Sequence, residues 1–167
     1  MRRLALVVVL FSWVGPLGAE SYAPPDPRFA VEATLDRFHI AAAVADEKEY
    51  FDLIAPVGVF LGTDATERWD RESFRAFAKP YFDQGKGWAF SPRDRHVALS
   101  AGGDVAWFDE LLDSASYGEC RGTGVLEKIG GEWKIQQYHL TIPIPNALAK
   151  EVVERIRVGD TAADPAK

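Results

Sequence analysis

The sequence predicts an α+β domain, with helices in its first half packed on an antiparallel sheet formed by its second. Apolar residues recur at helical spacing as far as Phe82, whereas from Trp88 onward the period changes to alternation. Glycine-rich turns then divide the alternating half into short strands, and such turns join antiparallel neighbours, since parallel ones need long crossovers. Helices first and a meander afterwards give α+β rather than a parallel α/β sheet.

Residues 1–19 are expected to lie outside this domain. Arg2 and Arg3 form a basic start, Leu4 to Val14 is apolar, and Leu17, Gly18 and Ala19 offer a small-residue cleavage site, the three parts of a secretory signal. The apolar run is shorter than the roughly 20 residues that span a bilayer, so a retained anchor is the lesser alternative. The expected product is secreted or periplasmic and begins near Glu20, with residues 20–25 as a Pro-bearing linker. Losing two arginines leaves 17 basic residues against 25 acidic ones, a formal charge of −8. That balance argues against nucleic acid and anionic membrane surfaces as partners, because both select basic patches. About 148 residues fit one domain with a sizeable core. Cys120 is the only cysteine, so no internal disulfide forms, and a buried, inert thiol is the simpler reading than a reactive one.

Asp26 and Pro27 make a strong helix start, the carboxylate capping and the proline placed where its missing N–H costs nothing. Val31, Leu35, Phe38 and Ala42 form the buried stripe of this first helix, which is expected to reach about Ala45. Asp46 caps a second short helix carrying Tyr50, Phe51 and Ile54. Pro56 is expected to end it, and Val57 to Gly62 reads as a strand. Asp70 opens a third helix with Phe74, Phe77, Ala78, Tyr81 and Phe82 along one side, and Pro80 is expected to break or kink it. Strands follow near 93–100, 105–112, 119–129 and 133–142. The domain thus spans 26–146. Asn146 starts a short last helix over 147–157, and 158–167 has the composition of a disordered tail.

The strands can be registered from their turns. A two-residue turn at Gly130 and Gly131 sets Ile135 opposite Leu126 and Lys134 opposite Glu127, an apolar pair on one face and an ion pair on the other. Unbroken alternation then places Gln137 and His139 on the apolar face, opposite Gly124 and Gly122. An even-length turn at 114–117 adds Trp107 and Asp109 to that face, with His96 opposite Asp109 and Glu110 beside Arg121 on the other. A single β-bulge would exchange Asp109 with Glu110, because a one-residue slip turns every side chain over. The second face would carry Val97, Leu99, Phe108, Val125, Tyr138 and Leu140, too apolar for water, and predicts a homodimer through the sheet.

Three helices followed by a meander ending in GGEWKIQQYHLTIPIPN, together with YFDLIAPVGVFLGTD (50–64) and AWFDELLD (106–113), resemble the SnoaL-like members of the NTF2-like (nuclear transport factor 2-like) superfamily over about residues 27–146. The resemblance implies a curved sheet, a cone-shaped cavity between helices and sheet, and frequent dimerisation through the sheet. It implies no single activity, since the superfamily holds isomerase-like and cyclase-like enzymes, dehydratases, kinase association domains and binding modules.

On this register the candidate catalytic groups are His139, Asp109 and His96. His139 is either a general base or a satisfied strand-end histidine. Asp109 with His96 is either an acid/base dyad or ordinary cross-strand pairing. Gln137, Trp107, Trp69, Tyr50 and Arg121 are candidate ligand contacts, Arg121 only where the strand bulges. Asp64 and Glu67 follow the first strand, either solvated or at the pocket mouth. No metal-binding spacing and no phosphate loop occurs in the sequence, so no metal or cofactor is expected. The leading expectation is an exported module that binds a small apolar or aromatic molecule with one polar group. The alternatives are a cofactor-free lyase or isomerase with a pocket carboxylate or histidine as base, and an interaction subunit with a vestigial cavity.

Overall fold

The structure, a computed structural model, describes residues 25–163, with side chains to 159. The expected signal segment, most of the linker and residues 164–167 lie outside the described residues. The elements run α1 (Arg28–Ala43), α2 (Glu47–Leu53), β1 (Ile54–Leu61), β2 (Arg68–Asp70), α3 (Arg71–Phe82), β3 (Ser91–Leu99), β4 (Val105–Ser114), β5 (Gly118–Ile129), β6 (Glu132–Thr141) and α4 (Ala149–Ala163). One curved, open sheet has the order β2-β1-β6-β5-β4-β3, antiparallel throughout except where β1 runs parallel to β6. Helices α1–α3 cover its concave face, burying the expected stripe of Val31, Leu35, Phe38 and Ala42 against Phe108, Leu126, Ile135 and Tyr138.

Local signals account for most boundaries. Asp26 accepts the Arg28 N–H at 2.9 Å, so the expected cap acts although α1 starts one residue later than the proline placement predicts. Asp46 and Asp70 accept the N–H groups of Glu49 and Ser73, capping α2 and α3. Two prolines behave otherwise than expected. Pro56 does not end α2, which stops at Leu53; it lies within β1, where the pairing with β6 is irregular between Ile54 and Val59 and a missing donor is tolerated. Pro80 does not stop α3 either. It sits in the last turn, where its absent N–H releases only the carbonyl of exposed Ala76. The short strand β2 has no counterpart among the expected elements, and α4 extends to Ala163, beyond the expected 157 and into the expected tail.

The sheet corrects the expected faces at two places. Gly130 and Gly131 both take positive φ and pair Ile135 with Leu126 and Lys134 with Glu127, as the turn predicts. Beyond them Gln136 is an extra residue: Leu126 faces Ile135, yet Val125 faces Gln137. This bulge turns Tyr138 and Leu140 inward and puts Gln137 and His139 on the convex face. The second correction is the turn between β4 and β5, which holds three residues, Ala115 to Tyr117, with Gly118 at positive φ. An odd turn inverts the parity of β4, so Glu110 points inward opposite Gly122 while Trp107 and Asp109 point outward. The face proposed for dimerisation is therefore mostly interior. Phe108, Tyr138 and Leu140 are buried beneath the helices, Val97 and Leu99 pack against them, and only Val125 of that set is paired with the outward-facing Trp107 and Gln137.

Candidate functional site

A pocket of about 310 Å³ opens between α1, α3, β1 and β6. Its wall is aromatic. Phe38 stacks on Tyr50 with centroids 4.3 Å apart, Phe60 stacks on Phe74 at 4.1 Å, and Tyr138 lies parallel to Phe60 at 5.7 Å, with Trp88 edge-on to Tyr50. These rings come from elements whose apolar stripes meet at the concave face, so burying them builds both core and pocket. The Tyr50 hydroxyl is buried beside Trp88 but makes no hydrogen bond of acceptable geometry among the described residues, and burial raises its pKa far above the ordinary tyrosine value. Gly62, Thr63 and Glu67 contribute to the mouth. Glu67 Oε2 accepts the Asp64 N–H at 3.2 Å and lies over Gly62, where a Cβ would stand 2.1 Å from it.

Behind the rings lies a buried polar network. His39, from α1, lines the pocket, and its Nε2 is 2.7 Å from Glu110 Oε1. The Tyr138 hydroxyl donates to the same oxygen at 3.1 Å, and Arg95 Nε donates to Glu110 Oε2 at 2.7 Å. Arg95 continues outward, its Nη1 donating to Asp36 at 2.6 Å and to the Glu32 carbonyl at 3.1 Å. Burial pushes the Glu110 carboxyl toward the neutral acid, but the hydrogen bonds and charges of His39 and Arg95 outweigh it and hold the pKa below the usual 4.5. Burial and the neighbouring Glu110 charge raise that of Tyr138. Because an ionised carboxylate only accepts, His39 Nε2 carries the proton and donates. With Nε2 committed to Glu110, Nδ1 is the ring atom left to exchange a proton with a bound molecule.

The residues singled out in the sequence are distributed differently. Tyr50 lines the pocket. His96 and Asp109 do stand opposite each other, with Nδ1 3.4 Å from Oδ2, but on the exposed convex face. His139 pairs with Thr123 and is half-buried, Gln137 and Trp107 are exposed, and all three are on that convex side. Trp69 stacks on Phe77 at 5.1 Å, behind the pocket wall. Arg121 is exposed opposite Leu111, away from Glu110. Among the described residues no cluster of three His, Cys, Asp or Glu side chains could hold a metal ion.

The network was legible in part. His39 lies four residues after Leu35 and three before Ala42, inside an apolar helical stripe where an imidazole needs a partner. Glu110 alternates with Phe108 and Leu112 in the same way. Arg95 gave no such signal: it faces inward because β3 carries an extra residue between Arg93 and His96, with Asp94 at positive φ.

Residues 31–145 match the family model of the SnoaL-like domain. The chain belongs to this family. Known structures share its fold. A provisionally assigned dehydratase of the NTF2-like family from Streptomyces avermitilis aligns with a TM-score of 0.62 at 15% identity, over 74% of this chain and all (100%) of that one. An NTF2-like protein of unknown function from Pseudomonas putida aligns at 0.58 and 16%, over 70% and 86%. A provisionally assigned calcium/calmodulin-dependent protein kinase II association domain from Xanthomonas campestris gives 0.53 and 27%, over 70% and 86%. A search of curated proteins finds no match. For the first two, identities this low carry the fold alone, so the reading of function rests on the pocket.

Proposed function

We propose that this SnoaL-like domain binds one small, largely apolar molecule in its aromatic pocket. The observation that carries the reading is the pocket itself: about 310 Å³ walled by stacked rings, with only a few polar groups converging on it. Fluorescence titration with N-phenyl-1-naphthylamine, uncharged at neutral pH, should give saturable binding at one site per chain. Trp88→Ala should weaken it about tenfold or more, the loss of one large ring face. No saturable signal from the wild type would overturn the reading. We further place this binding outside the cytoplasm, on the strength of the Met1 to Ala19 segment; a product retaining Met1 in the cytoplasm would overturn that placement.

The His39–Glu110 pair favours a second reading, a cofactor-free lyase or isomerase. A basic Nδ1 at the wall could take a proton from carbon while Glu110 stabilises the imidazolium, a division of labour that needs no other group. Solvent deuterium should then enter the acidic C–H positions of a bound aryl ketone, and His39→Gln should abolish the exchange with ketone affinity changed less than threefold. Absence of exchange in a wild-type protein that binds the ketone would leave binding alone.

A further inference from the structure

Resting on the reading that the pocket holds a small molecule, the geometry points to an organic monocation, an ammonium group on an apolar body of one to three rings, as the class of ligand it takes. Three observations converge. The pocket presents ring faces from Phe38, Phe60, Phe74, Trp88 and Tyr138, and the face of an aromatic ring carries the negative end of its quadrupole. No lysine or arginine belongs to its lining, and the fully charged side chain there is the Glu67 carboxylate at the mouth. Glu67 is held by the Asp64 N–H and makes no ion pair among the described residues, so its charge is not cancelled locally.

The third observation is the network behind the rings. Arg95 is engaged by buried Glu110 and by the exposed Asp36, so the network sets no unpaired guanidinium against a ligand in the pocket. The electrostatic preference of the pocket therefore comes from the ring faces and from the Glu67 carboxylate. A cation entering from the Glu67 side would meet attraction at the mouth and along the ring faces. An anion of the same shape would meet repulsion at each. A neutral molecule would gain only the burial of its apolar surface. The pocket lies at the small end of the range for ligand sites, which limits the body to about three rings, the size of N-phenyl-1-naphthylamine.

The test compares shapes that differ only in charge. Benzyltrimethylammonium and neopentylbenzene are isosteres, the ammonium nitrogen of one replaced by carbon in the other, and phenylacetate supplies the anion. Each is measured by displacement of N-phenyl-1-naphthylamine from the full chain. The cation is expected to bind about tenfold or more tightly than neopentylbenzene, with phenylacetate weakest. Glu67→Gln is expected to weaken the cation about threefold while leaving neopentylbenzene unchanged. Equal or tighter binding of neopentylbenzene by the wild type overturns the inference and leaves the pocket reading standing. Failure of the naphthylamine itself to bind overturns both.

Discussion

Each face of the sheet carries an imidazole–carboxylate pair, and the two pairs stand in opposite circumstances. On the concave face His39 meets Glu110 at 2.7 Å with side chains 7% and 0% exposed; on the convex face His96 meets Asp109 at 3.4 Å with 75% and 60% exposed. The convex pair sits in water, where screening and side-chain entropy leave an ion pair with little net energy. The concave pair has lost its water and must be satisfied by protein, which Arg95 and Tyr138 do. Residue type therefore does not distinguish a candidate site from a solvated surface here. Burial and the number of converging partners do.

The most drastic way to break this contrast is to insert an alanine between Gln137 and Tyr138. With the pairing kept as far as Gln137, the added residue would take the place of Tyr138 and carry Tyr138 and Leu140 to the convex face and His139 inward, exchanging core for surface. The expected loss exceeds about 5 kcal/mol, comparable with the whole stability of many domains, so chemical denaturation should show no cooperative transition.

Next in size is Glu110→Gln, which removes the buried carboxylate from the Arg95 guanidinium and leaves it only that of Asp36 at the surface. A loss of about 3–5 kcal/mol is expected from urea unfolding at neutral pH. The pH dependence sharpens the assignment. A carboxyl whose folded pKa lies below its usual 4.5 contributes stability that is present above that value and is lost as pH falls through the lower folded pKa. The gap between wild type and Glu110→Gln should therefore close in acid, below about pH 4.5, and a gap that stays constant to pH 3 would argue against an ionised Glu110.

Tyr138→Phe tests a single member of the network. Removing a hydroxyl that donates at 3.1 Å to a carboxylate already held by two other groups is expected to cost about 1 kcal/mol by the same unfolding assay. The smallest effect belongs to the convex face: His96→Ala should change stability by less than about 0.5 kcal/mol and leave naphthylamine binding unaltered. A loss of binding there would move the candidate site back to the convex face.

The amino-acid sequence by itself determined the order of the elements, the capping of three helices by Asp26, Asp46 and Asp70, and the local pairings set by Gly130 and Gly131, because each depends on a few neighbouring residues. It also brought His96 opposite Asp109. One clue to the true faces lies in WKIQQYHL, where Trp133 and Ile135 share one parity but Tyr138 and Leu140 take the other, and the skip falls at Gln136. The helix-covered side decided between these phases. Alternation has only two phases, a single extra residue exchanges them, and burying Tyr138 and Leu140 gains more than burying Gln137 and His139. The odd turn before Gly118 and the extra residue in β3 acted likewise, bringing Glu110 and Arg95 to His39. Only the tertiary structure could decide that meeting, since partners 71 and 15 residues from Glu110 are chosen by which face is buried and not by any local rule.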